Sequence, residues 1–168
     1  MPRIHVVQRR WNWLGPNLHA GNPRSTAQIA GHPIHPMLIP FPIAFFVATF
    51  LVDIMFMNTM QTGWVMASEW LLGAGLVMAA LAAIMGVIDF AGEHRIRKLN
   101  AAWLHAGANV LAVLVSLYNF YVRYEAGAAA GISTTDMVLS GFVVLLLLFS
   151  GWLGGEMVFR HRVGMTDH

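Results

Sequence analysis

Four apolar stretches decide most of what this chain can fold into: Met37 to Met57 (21 residues), Trp70 to Ala91 (22), Ala101 to Val122 (22) and Met137 to Phe159 (23). At about 1.5 Å of rise per helical residue, roughly 20 residues match a hydrocarbon core about 30 Å thick, so each stretch is long enough to cross a bilayer. The connections (Asn58 to Glu69, Gly92 to Asn100 and Arg123 to Asp136) are short. Sequential helices therefore pack antiparallel, and the expected fold is an all-α integral membrane protein, a four-helix transmembrane bundle of up-down topology. Composition agrees, because 57% apolar and 11% charged residues, with mean hydropathy +0.60, cannot supply a water-facing surface. The chain divides into an N-terminal tail (1–31), a membrane domain (32–164) and a short C-terminal tail (165–168), with no room for a second domain. No apolar h-region follows Arg9 and Arg10, so the first segment reads as a tail and not as a signal peptide.

The few charges are sorted across the bilayer. Arg3, Arg9, Arg10, Arg24, Arg95, Arg97, Lys98, Arg160 and Arg162 fall on one side, and only Arg123 on the other. The positive-inside rule then makes both termini and the middle loop cytoplasmic. Such a chain is not a cytosolic enzyme or a nucleic-acid binder. The absence of cysteine excludes disulfides, iron–sulfur clusters, thiolate zinc sites and covalent haem attachment.

All eight histidines lie on the basic side: His5, His19, His32, His35, His94, His105, His161 and His168. Those near the membrane boundary carry the signal. Asp89 and His105 each lie about four residues, roughly 6 Å, inside their spans, and an ionisable group at that depth is costly unless paired or facing a polar cavity. Asn109 follows His105 by one helical turn and shares its face. Asp89, Glu93 and Arg97 form an i, i+4, i+8 ladder, whose plain reading is a Glu93–Arg97 ion pair. The run His32-Pro33-Ile34-His35-Pro36-Met37-Leu38-Ile39-Pro40-Phe41-Pro42 is too proline-rich for regular helix, which is expected to begin near Pro40 or Pro42. The remaining helix is short, so an extended segment is expected to dip into the membrane and wall a polar site near His35. Asp53, deep in the first span, is expected to pair with Arg123 or Asn119, or to belong to a proton path. Gly73, Gly75, Ala79, Ala83, Gly86 and the Gly151/Gly155 pair read as close-packing positions.

The His32-Pro-x-His35-Pro-Met-x-x-x-Phe41-Pro42 entry, Asp89, His105 and the closing Gly154-Gly155-Glu156-Met157-Val158-Phe159-Arg160-His161-Arg162-Val163-Gly164 resemble the family called domain of unknown function 2231. The resemblance covers about residues 31–164 and departs at Arg162, where glycine is expected. It implies a bacterial inner-membrane module of four helices, without an assigned activity and sometimes joined to cytochrome-like or Rieske-like redox domains.

Several chemistries fit these residues. The first is one b-type haem held by His105 and His35, with His94 or His32 as substitutes, Asp89 or Asn109 orienting an imidazole, and Arg95, Arg97 and Lys98 near the propionates. With no histidine between His35 and His94, at most one bis-imidazole haem fits. The module would exchange electrons with a quinone or a partner protein on one side. The second is an iron, zinc or manganese centre of His35, His94, His105, Asp89 and Glu93. A third, copper capture or transport at Met55, Met57, Met60 and Met66, competes with the simpler role of methionine as packing filler. The fourth is a non-catalytic accessory subunit of a larger membrane complex. No catalytic triad, phosphate-binding glycine loop or acid/base carboxylate pair is present, so no substrate or reaction is read.

Overall fold

The computed structural model describes residues 21–165; His5, His19, His168 and Arg3, Arg9 and Arg10 lie outside the described residues. A small antiparallel hairpin comes first, β1 (Gln28–Ile29) paired with β2 (His32–Pro33). Its two-residue turn, Ala30-Gly31, has positive φ at both positions (50° and 81°), the turn whose twist matches that of paired strands. Helices α1 (Ile34–Leu38) and α2 (Pro40–Thr59) follow almost without a break and together form the first span.

The expected extended entry is corrected in part: His32–Pro33 is extended and the long helix begins at Pro40 as expected, but Ile34–Leu38 between them is helix. Pro36 occupies the third position of α1, and Pro40 and Pro42 the first and third positions of α2. At Pro36 a first-turn amide would have no helical carbonyl to bond, so proline costs nothing there, whereas Pro40 and Pro42 lack the amides that would bond back into α1, and the span divides into two helices at that gap. Ile39, itself in helical conformation, donates its amide to the His35 carbonyl (3.1 Å) and bridges the two pieces.

The second span, α3 (Thr62–Gly92), is 31 residues long and begins eight residues before the apolar stretch read from sequence. The connection to α2 shrinks to Met60-Gln61, because Met60 turns left-handed (φ 53°) and returns its amide to the Phe56 carbonyl at 2.7 Å. A one-turn helix, α4 (His94–Arg97), caps the far end of α3 and leads into α5 (Asn100–Ala126). After a 3-10 turn, Ala128–Ala130, the fourth span is α6 (Thr134–Phe159). Ser133 and Asp136 start it with a capping box, each side chain accepting the other's backbone amide.

Helix α2 packs on α3 and α6, α5 packs on α6, and α3 touches α5 more lightly, which closes an up-down four-helix bundle. Its middle is an apolar layer of Phe46, Leu72, Ala79, Ala112 and Val143. Gly75 is what admits Phe46: a Cβ there would stand 2.7 Å from the Phe46 ring. Outward residues such as Leu81, Val110, Leu114 and Leu145 are exposed and apolar, as lipid contact requires.

Candidate functional site

Two polar layers flank the apolar middle, one towards the basic end and one towards Arg123. The basic-end layer is built on two histidines from diagonally opposed elements. His35, on α1, lies against α3, where its Nδ1 donates to the Ala82 carbonyl at 2.7 Å. Glycine at position 86 makes the room, since a Cβ there would come within 3.0 Å of the imidazole. His105, on α5, lies against α6, where its Nδ1 donates to the Ser150 carbonyl at 2.9 Å with the Ser150 hydroxyl 3.0 Å away. Gly154 flanks this ring as Gly86 flanks the other, its imagined Cβ 3.4 Å from the imidazole.

A carbonyl only accepts, so both δ nitrogens carry a proton, and in its neutral form each ring presents Nε2 as a free lone pair. The rings meet across the bundle with centroids 6.3 Å apart and planes at 85°. Asn109, one turn after His105, donates to the Ser150 hydroxyl (2.6 Å) and to the His105 carbonyl (2.8 Å), tying α5 to α6 beside the ring.

The other residues expected at this layer are placed elsewhere. Asp89 orients no imidazole. Its carboxylate accepts the Thr26 and Ala27 amides (both 2.7 Å) and the Ser25 hydroxyl (2.8 Å), anchoring the strap that runs into the β-hairpin. Glu93 pairs with Arg95 at 3.0 Å and not with Arg97, because the chain leaves helix at Glu93 and its carboxylate turns forward to cap α4. The Arg95 side chain and its backbone amide hold the Glu93 carboxyl at about 2, against a smaller opposing effect of burial. Arg95 also reaches the carbonyls of Gly21 and Asn22, and Arg97 those of Phe90 and Ala91 at the end of α3. Both guanidiniums are therefore committed to closing helix and strap carbonyls. His94 and His32 are exposed. Among the described residues no three His, Asp or Glu side chains converge as a metal-ligand group, so the five-residue metal set does not assemble.

The Arg123 layer is the larger one and was only half visible in the sequence. Asp53 and Arg123 form a bidentate ion pair, Nη1 to Oδ1 at 2.9 Å and Nη2 to Oδ2 at 2.7 Å, with Asp53 fully buried. Ser68 from α3 (2.5 Å) and Ser140 from α6 (2.7 Å) donate to the same carboxylate. Asn119 accepts from Arg123 Nε (2.9 Å) and donates to the Asp136 carbonyl (3.1 Å). One carboxylate is thereby shared by all four spans. Asp53 and Arg123 were legible as charges inside apolar stretches, whereas Ser68, Ser140 and Ser150 carry no such signal, since serine is common in membrane helices. Met55, Met60 and Met66 are exposed and Met57 only half-buried.

A family model described as predicted membrane protein (DUF2231) matches residues 31–167. No curated protein and no solved structure matches the chain.

Proposed function

The chain belongs to the DUF2231 family of membrane proteins, and from that premise and the histidine geometry we propose that it is a redox module binding one b-type haem through His35 and His105. The observation that carries this reading is the ring pair, 6.3 Å between centroids, with each Nδ1 fixed on a backbone carbonyl and each Nε2 bare. A spacing of this order would let both Nε2 atoms be ligands of a single metal, for which bonds of about 2.0–2.1 Å are usual. Anchoring the second ring nitrogen is how proteins fix the tautomer and direction of a ligating histidine.

Two imidazoles favour a macrocycle over a bare ion. Zinc, iron and manganese need four or more ligands, and the carboxylates of Asp89 and Glu93 are bound to other donors. A porphyrin brings its own four nitrogens and asks the protein for two. When bound, haem supplies reversible one-electron transfer. His35 and His105 would hold its iron, and the Asn109–Ser150 link would keep the His105 ring in place. The ring spacing already suits an iron between the two imidazoles, and it is the width of the macrocycle around it that would require α3 and α5, the more lightly packed neighbours, to part.

The bundle lies in the bacterial inner membrane with the histidine layer on the cytoplasmic side. That orientation is supported by the charges: among the described residues Arg24, Arg95, Arg97, Lys98, Arg160 and Arg162 lie at the histidine end, and Arg123 is neutralised in its ion pair. Electrons would pass between this centre and a membrane quinone or a partner protein.

The test is the reduced-minus-oxidised visible spectrum of protein purified in mild detergent after expression with haem supplied. A Soret band and a sharp α-band, lost in His35→Ala and in His105→Ala, are expected. Protein purified without haem despite that supply overturns the reading.

A further inference from the structure

A groove of about 330 Å³ opens at the basic end, outside the histidine pair. One wall is Pro33, Pro36 and Met37 at the entry to the first span, and the other is Val163 and Met165 in the turn that follows α6. His32 is the one side chain among the described lining residues that carries a polar atom. The C-terminal turn is held against the strap, with the Gly164 amide donating to the Pro23 carbonyl at 2.8 Å.

The chemistry of the occupant follows from His32. Its Nδ1 donates to the Ala30 carbonyl at 3.0 Å, and no donor among the described residues reaches its Nε2. When the ring is neutral, an imidazole held this way offers a single hydrogen-bond acceptor on an otherwise apolar surface. Proline faces and methionine thioethers suit a flat aromatic ring. Against that neutral ring a phosphate headgroup would meet a lone pair in place of a donor, and an acyl chain would leave the acceptor unused. Pro36 and Met37 are exposed at the start of a membrane span, so the groove is reached from the bilayer boundary. The fitting ligand is an apolar ring bearing an O–H.

We propose that this groove binds the ring of a membrane hydroquinone, its hydroxyl donating to His32 Nε2. His35 follows His32 by three residues, at most about 10 Å of extended chain, so the ligand would lie beside the histidine pair. Its electron-transfer meaning rests on the haem reading; the binding itself does not.

The experiment measures binding of a short-chain benzoquinol, kept reduced, to the whole protein in lipid nanodiscs. Its di-O-methyl ether, which has no O–H, is measured in parallel. Wild type is expected to bind the quinol five- to tenfold more tightly than the ether, the effect of one hydrogen bond worth about 1 kcal/mol or somewhat more. His32→Phe should bind both with the weaker Kd, and Met37→Trp, which fills the groove, should bind neither. Equal affinity for quinol and ether, equal quinol binding by wild type and His32→Phe, or displacement of the quinol by an equal concentration of decanoic acid overturns the proposal. His105→Ala separates the two readings: quinol binding kept by this haem-free variant supports the groove on its own terms, and haem-loaded wild type that fails to bind quinol sinks the groove alone.

Discussion

Removing Arg123 is the sharpest test of what holds the four spans in register. In Arg123→Leu, Asp53 keeps the Ser68 and Ser140 hydroxyls and loses both guanidinium bonds, at 2.7 and 2.9 Å. Hydrogen bonds to charged groups are worth about 1.5–3 kcal/mol each, so two of them amount to about 3–6 kcal/mol. Breaking a buried ion pair by deleting one partner costs about 3–5 kcal/mol, and a lone aspartate in a membrane span costs about 3 kcal/mol by insertion scales. These figures agree on a loss of about 4 kcal/mol. Asp53→Leu should cost a similar amount, because it strands Arg123 among Asn119, Ser68 and Ser140. The double variant Asp53→Leu/Arg123→Leu should be more stable than either single variant, since it buries no uncompensated charge and Ser140 already bonds the Asp136 carbonyl of its own helix at 3.1 Å. Unfolding in mixed micelles, followed by far-ultraviolet circular dichroism, gives the three differences for a double-mutant cycle. A double variant that loses the sum of the two single losses would falsify the idea that the pair acts as one unit.

Three further outcomes follow from the basic end and the core. Arg162 is left-handed (φ 54°), so Arg162→Gly should raise stability by about 1 kcal/mol; a loss in chemical denaturation would show that the side chain matters more than the backbone. Gly75→Leu should cost at least about 1–3 kcal/mol by driving into Phe46, and an unchanged melting temperature would mean that α2 and α3 are not packed as described. Glu93 titrates lower in the folded protein than in the unfolded chain, so its contribution is complete above the ordinary carboxylate range and is lost as pH falls through about 2. Hydrogen exchange of the Arg95 amide, which Glu93 accepts, should therefore speed up only between about pH 4.5 and 2 after correction for intrinsic rates; acceleration already between pH 7 and 5 would count against Glu93.

The spans were legible because twenty apolar residues in a row have few other folds open to them, and the structure extends each by a few residues whose polarity had read as loop. Ser68 and Glu69 looked like connection, but helix continues through them because Ser68 can bury its hydroxyl on Asp53. The proline-rich entry misled in part for a reason of position: Pro33 is extended and precedes the helix, while Pro36, Pro40 and Pro42 fall in the first turns of α1 and α2, where proline is tolerated. His105 was named from depth and type and His35 from its place in the proline-rich entry, yet what steers them, the carbonyls of Ala82 and Ser150, has no sequence signature because every residue carries a carbonyl. Asp89 misled in the opposite way. Its depth marked it as a partner for histidine, but a carboxylate at a helix end is equally suited to collecting backbone amides, and the Thr26 and Ala27 amides lie there. Glycine was expected at position 162 from resemblance alone, and the positive φ supplies the physical reason.

The order of the layers bears on how such a module can work. Between the histidine layer and the Arg123 layer lie the apolar side chains of Phe46, Leu72, Ala79, Ala112 and Val143, with the buried hydroxyls of Thr49, which donates to the Phe45 carbonyl, and Ser116 beside them. Asp53 is bound by four donors, Arg123 Nη1 and Nη2 and the hydroxyls of Ser68 and Ser140, so it is a poor relay. These bonds support a structural role for Asp53, in which a single carboxylate draws α2, α3, α5 and α6 together at one end. That clamp has a consequence at the other end. If α3 and α5 part to admit a macrocycle between His35 and His105, the Arg123 layer is the hinge that keeps the bundle closed, and the two ends are energetically coupled. Weakening the clamp with Asp53→Asn, which keeps the shape and removes the charge, should then speed haem uptake by apo-protein without changing the α-band position. A shifted α-band would mean that the clamp sets ligand geometry, and an unchanged uptake rate would mean that the bundle opens elsewhere.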